Sequence, residues 1–195
     1  MSDERSMSRR ASLWSLAVTG VAVASGMAAK ASEPPARQVP ATGEEAKPVD
    51  NPVDLAAVRL KKGHSCAQAV FSAFAEPMGV DYGTAVKLSS GFGGGMHLGG
   101  PCGTVTGAIM AIGLKYGGLY PNMQATNLGR EFAERFKAKH RSINCPNLIG
   151  VDLSKPEGVA AAKDMKVFAR CPGYVEDAAR ILDALLKEAQ PAATG

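Results

Sequence analysis

From Asn51 onward, apolar positions recur at intervals of three and four residues, and each run is bounded by a capping side chain or by glycine and proline. Asp50-Asn51-Pro52 places a capping side chain before a proline at the first helical position; Leu55, Val58 and Leu60 follow, and Gly63 ends the run. Ser65 caps a second helix from Cys66 to about Glu76, closed by Pro77 and Gly79. Asp81 opens a short third helix toward Ser90. Cys102 to about Lys115 is apolar on nearly every side, which predicts a central, buried helix, with Gly103, Gly107, Ala108 and Ala111 admitting close neighbours. After Gly117-Gly118, Met123 to about Lys139 carries Leu128, Phe132 and Phe136 opposite Arg130, Glu131, Glu134 and Arg135. Ser154-Lys-Pro-Glu157 reads as a capping box for a helix to about Ala169, and Pro172 starts the last helix with the stripe Val175, Ala178, Leu182 and Leu185. No segment alternates with period two. The pattern predicts an all-α fold, a single compact bundle of about six or seven helices over residues 52–190.

Between the third and fourth helices lies a stretch with different demands. Gly91 to Gly100 holds six glycines, more than a helix or strand interior tolerates. Such a run permits positive φ and close backbone approach. It fits neither a dinucleotide fingerprint, since the required glycine positions fall on Met96 or Leu98, nor a phosphate loop, since Pro101 follows Gly100. It reads as a flexible collar that delivers Cys102 to a buried helix, with Gly93, Gly94, Gly95, Gly103 and Gly107 as candidate cofactor contacts. His97, five residues before Cys102, is the candidate hydrogen-bond partner or proton carrier beside the site.

The N-terminal segment belongs to no bundle. Arg9-Arg10, the weakly apolar run Leu13 to Ala29 and Ala29-Lys30-Ala31 have the order of an export signal over residues 1–31, and the paired arginines indicate the twin-arginine route to the periplasm. Residues 32–51, proline-rich and without aromatics, read as a disordered linker. Cleavage after Ala31 removes four basic and two acidic residues, leaving 18 against 16 and a net charge of +2. So small a charge gives no electrostatic basis for nucleic-acid binding. The mature form has no membrane-spanning run.

Four cysteines, Cys66, Cys102, Cys145 and Cys171, carry the candidate chemistry. There is no Cys-x-x-Cys-His for covalent haem and no Cys-x-x-Cys pair. Cys66, Cys102 and Cys171 each fall at the first turn of a predicted helix and on its apolar stripe, with Val105 and Ile109 beside Cys102. A helix start lowers a thiol's pKa, so three such starts suit an anionic sulfur-ligated centre. Cys145, before Pro146, falls in a turn-rich loop, and is therefore the ligand with most freedom to adjust. Residue placement leaves three readings open: an iron–sulfur centre, two disulfides stapling an accessory module, and redox-active thiols of a thiol–disulfide oxidoreductase.

Gly-His-Ser-Cys66-Ala-Gln-Ala-Val, Gly91-Phe-Gly-Gly-Gly, Cys102-Gly-Thr-Val-Thr-Gly107-Ala, Asn-Cys145-Pro and Arg-Cys171-Pro, in this order, resemble the C-GCAxxG-C-C family of redox-active proteins, which is defined by four cysteines and a Cys-Gly-Ala-x-x-Gly motif. The resemblance covers roughly Asn51 to Leu186; Thr104 stands where the motif has alanine. It implies a cofactor ligated by cysteines matching Cys66, Cys102, Cys145 and Cys171, and a partner among periplasmic or membrane-bound oxidoreductases. The related split-Soret cytochromes carry haem and an iron–sulfur centre. The haem motif is absent here, so the resemblance implies an iron–sulfur cluster alone, 2Fe–2S or 4Fe–4S.

Overall fold

Asn51 opens the first helix as its chemistry predicts, accepting the Val53 N–H at 3.0 Å on its side-chain oxygen. The structure, a computed structural model, describes residues 51–189. The signal over 1–31 and all but the last residue of the linker lie outside the described residues. Eight α-helices follow in order: α1 Pro52–Lys61, α2 Cys66–Ala75, α3 Tyr82–Ser89, α4 Gly103–Tyr116, α5 Met123–His140, α6 Cys145–Ile149, α7 Pro156–Ala161 and α8 Cys171–Glu188. The described residues contain no strand, only an isolated bridge between Pro101 and Asn144. None of their helices is long and apolar enough to cross a membrane.

The all-α expectation holds, with one helix more than the sequence pattern yields. That helix is α6, and it starts at Cys145. The segment after Ser154 differs the other way. Its expected capping box does not form: Lys155 stands at the N-cap without a side-chain bond, α7 ends at Ala161, and a separate 3-10 turn covers Met165–Phe168. The Ser154 hydroxyl is instead spent on Asp152, to which it donates at 2.7 Å.

The most enclosed helix is α2, not α4. Eight of the ten α2 residues are buried, and α1, α3, α4 and α8 pack around them. α4 is covered by α2, α5 and α8 but keeps one side open, where Ile109 and Leu114 are 42% and 40% exposed. Ile109 therefore lies off the buried stripe, which runs through Val105, Ala108, Ala111 and Ile112. The α2–α4 contact is backbone on backbone: a Cβ on Gly107 would stand 2.7 Å from the Ala67 carbonyl, and one on Gly103 2.9 Å from the Ala67 nitrogen. Phe132 and Phe136 on α5 meet Val175, Ala178, Leu182 and Leu185 of α8 in the same core, as their spacing predicts.

Candidate cysteine site

All four cysteines sit at helix starts. Cys66, Cys145 and Cys171 are the first residues of α2, α6 and α8, and Cys102 is the N-cap of α4. Pro146 and Pro172 occupy the position where a helix has no use for an N–H. The first three starts are held by hydrogen bonds, local at Cys66 and long-range at Cys102 and Cys145. Ser65 and Gln68 form a full capping box ahead of Cys66, and the Gln68 amide also donates to the Val86 carbonyl at 3.2 Å, tying α2 to α3. Cys102 N–H donates to Ile143 O at 2.7 Å and Cys145 N–H to Gly100 O at 3.0 Å, so the collar's end and the α6 start hold each other. Cys145 is thus as firmly placed as the others, contrary to the freedom expected of a loop residue.

The four side chains line one cavity of about 860 Å³, and none is in a disulfide. Their ionisation departs from the expectation drawn from helix starts. The neighbouring Cys171 thiol, with burial adding to the shift, holds Cys66 well above its ordinary value, and Cys66 in turn lowers Cys171. Burial raises Cys102, partly offset by the Thr104 hydroxyl, which donates to Cys102 Sγ at 3.3 Å. Cys145 is pushed up to about 12 by burial first and by the neighbouring Cys102 and Cys171 second. Desolvation and crowding of like groups outweigh the helix dipole at three of the four.

The collar curves through four successive left-handed residues, Gly94, Gly95, Met96 and His97, with φ of 59, 66, 58 and 54°. The glycines are needed for different reasons. Gly95 has the left-handed backbone, and a Cβ there would lie 2.9 Å from both Cys145 Cβ and Gly100 O. Gly93 has an ordinary φ of −75°, so its predicted positive φ is absent; it is glycine because a Cβ would fall 2.7 Å from Ser65 Cβ. Positive φ at Met96 and His97, which costs about 1–2 kcal/mol each, is not visible in the sequence.

His97 is exposed and lines the cavity, as do Gly93, Gly94 and Gly103. Gly107 does not; it serves the α2–α4 contact, because its position one turn beyond Gly103 faces Ala67 and Phe71. A second histidine, missed in the sequence reading, lines the cavity. His64 donates Nδ1–H to Arg59 O at 2.9 Å and accepts from the Tyr82 hydroxyl at 2.6 Å on Nε2, and burial lowers its pKa. The wall facing the cysteines, formed by Leu153, Val159, Ala162, Met165 and Phe168, was also missed. Its signal was the three-residue spacing from Val159 to Phe168.

A family model described as "Putative redox-active protein (C_GCAxxG_C_C)" matches residues 64–185, a span that includes all four cysteines. Neither a curated protein nor a solved structure matches the chain.

Proposed function

The chain belongs to the C_GCAxxG_C_C family of redox-active proteins, and from that membership we propose that Cys66, Cys102, Cys145 and Cys171 hold an iron–sulfur cluster and that the protein exchanges electrons with a larger oxidoreductase. The observation that carries this reading is the meeting of four unpaired cysteines, each from a separate helix start, on one cavity. The residues fit such a group. Four thiols are a soft donor set suited to iron–sulfur ligation. Gly93, Gly94 and Gly103 line the cavity beside the cysteines, whereas Gly95, expected as a cofactor contact, lies outside the lining and instead lets the collar pack on Cys145. Among the described residues no three His, Cys, Asp or Glu side chains stand close enough to hold a metal ion as they are, so the cysteines must draw together as a cluster loads. When bound, the cluster supplies one-electron transfer. The chain's part is to surrender the thiol protons that burial retains, to place Thr104 O–H on one ligand sulfur, and to cover the centre with residues 153–169.

Periplasmic location by the twin-arginine route belongs to the same reading, because that route carries proteins already folded around a cofactor. The test is purification without oxygen. A brown protein with iron and acid-labile sulfide in equal amounts is expected. A colourless protein that takes up no iron on reconstitution overturns the reading.

The placement of Cys66 and Cys171 as free thiols on one cavity, each shifting the other's ionisation, favours a second reading, a thiol–disulfide exchange. Cys171, with its lowered pKa, attacks an acceptor disulfide and releases one thiol; Cys66 then displaces the second. The Cys66–Cys171 bond forms, the acceptor's S–S bond breaks, and the two protons and two electrons of the thiols pass to the acceptor.

A further inference from the structure

The cysteine cavity is larger than its proposed cofactor. Eight iron and sulfur atoms, at about 30 Å³ apiece, the share of a water in the liquid, fill about 240 Å³. The cavity measures about 860 Å³, within the range that encloses a whole organic molecule. Besides the cysteines, its lining includes the apolar side chains of Leu60, Leu153, Val159, Ala162 and Phe168, none of which has a ligating atom, and the thioether of Met165.

The lining contains no aspartate, glutamate, lysine or arginine. Of its titratable groups other than the cysteines, His64 has both ring nitrogens engaged, one on Arg59 O and one on Tyr82 Oη. A phosphate, carboxylate or sulfonate brought in would meet no lysine or arginine and would be repelled by a thiolate-ligated centre, so the lining favours an uncharged ligand over nucleotides and organic acids. Polar handles are present nonetheless. Ser65 Oγ accepts from Gln68 N–H and keeps its own proton free to donate, and the His97 ring stands at the rim. Along the collar, Gly91, Gly93 and Gly94 present bare backbone, a surface without side chains to obstruct a flat molecule.

We propose that the apolar part of this cavity binds an uncharged, ring-sized organic molecule bearing a hydroxyl or carbonyl oxygen, held against the cysteine centre. The proposal rests on the redox reading only for the ligand's role as a reaction partner; the binding itself depends on the cavity wall. Two probes with the same ring separate charge from shape: 2-naphthol and 2-naphthalenesulfonate, each titrated by its fluorescence against the reduced full-length chain under argon. Saturable naphthol binding is expected, with the sulfonate at least about tenfold weaker, the factor corresponding to about 1.4 kcal/mol. Ala162→Phe, which fills the cavity from this wall, should weaken naphthol at least about tenfold at unchanged helix content, while Leu119→Ser, on a residue 97% exposed and outside the lining, should change nothing. Equal affinity for both probes, no saturation by naphthol, or unchanged binding by Ala162→Phe overturns the proposal. Should Ala162→Phe not fold, Ala169→Leu on the same wall takes its place with the same criterion. Iron content is measured in parallel: naphthol binding without iron removes the cluster reading and leaves this one, and iron without naphthol binding does the reverse.

Discussion

Thr104 Oγ1 donates to Cys102 Sγ at 3.3 Å, and both side chains are buried in the first turn of α4. The hydroxyl stands at the position where the family motif has alanine. A hydrogen bond to a ligand sulfur stabilises the more negative, reduced state of a cluster and raises its potential. Thr104→Val keeps the shape and removes the donor. It is expected to lower the potential of the iron-loaded protein and shift its visible absorption, with stability changed by no more than about 1.5 kcal/mol; Thr104→Ser should restore both signals. An unchanged potential in the valine variant would show that the hydroxyl has no influence on the centre.

Gly95→Ala should damage the site more than its size suggests. The left-handed backbone adds about 1–2 kcal/mol, and the clash with Cys145 Cβ and Gly100 O, each 2.9 Å from the new Cβ, adds about 1–3 kcal/mol. A urea midpoint lowered to match, together with lost iron, is the expected result. Full iron content would mean that α6 moves aside freely.

Which features of this site are legible in the sequence follows from the range of the forces involved. Helix starts are local: Asn51, Ser65 and Asp81 announce α1, α2 and α3 because each cap bonds to a backbone N–H within three residues. Cys66, Cys102 and Cys171 could be aimed inward from those starts and their stripes. Cys145 could not, because α6 is a turn and a half long and its register is set by Gly100 O, which lies 45 positions earlier. Gly93 shows the same limit, since its constraint is Ser65, a contact made only when the collar folds back on α2. Met96 and His97 adopt left-handed backbone against their own preference, with Leu98 N–H and Gly100 N–H both donating to Gly95 O around them. The thiol pKa values fail for a related reason: the helix dipole is visible in sequence, whereas burial and the neighbouring sulfurs that override it are tertiary.

His140 gives the bundle a pH dependence away from the cysteines. Its ring packs against Phe136 and Tyr174, at centroid distances of 4.5 and 4.9 Å, and Nε2 lies 3.2 Å from Asp177 Oδ2 without the alignment of a hydrogen bond. Burial first and Lys139 second lower its pKa, against the opposing pull of Asp177. The unfolded chain then binds more protons than the folded one between the folded pKa and the ordinary 6.5. Its contribution is therefore complete above about pH 6.5 and is lost as pH falls through the folded value. The difference in urea midpoint between His140→Gln and wild type should narrow or reverse as pH drops from about 7.5 to about 5. A difference independent of pH would assign the effect to packing alone.

Export is testable on residues outside the described fold. If Arg9 and Arg10 are read as a pair, replacing both with lysine should strand the precursor in the cytoplasm with its cofactor in place. Cell fractionation followed by iron analysis of each fraction measures both. Normal export of the double variant would point to the general secretory route and remove the case for loading before translocation.

The cover over the cysteines hangs on one glycine. The segment from Leu153 to Ala169 contributes Leu153, Val159, Ala162, Met165 and Phe168 to the cavity, yet most of its residues are exposed and α7 has no extensive packing partner. It is tied back at its beginning, where Asp152 accepts from Ser154 N–H at 3.0 Å and from the Ser154 hydroxyl at 2.7 Å. Buried Gly158 packs directly on the Asp152 backbone: a Cβ there would lie 1.9 Å from the Asp152 carbonyl oxygen, a separation no relaxation of a side chain can relieve. Gly158→Ala must therefore push α7 away from that anchor. The core helices α1, α2, α4, α5 and α8 do not depend on the contact, so helix content should stay nearly constant while the cysteines gain access to water. Alkylation of the iron-free protein by iodoacetamide, followed by mass spectrometry of each cysteine peptide, is expected to accelerate by about tenfold or more, the factor that corresponds to about 1.4 kcal/mol in the opening equilibrium. Rates equal to wild type at all four cysteines would show that reagents reach the cavity by another path, past the collar, and that this segment is no barrier.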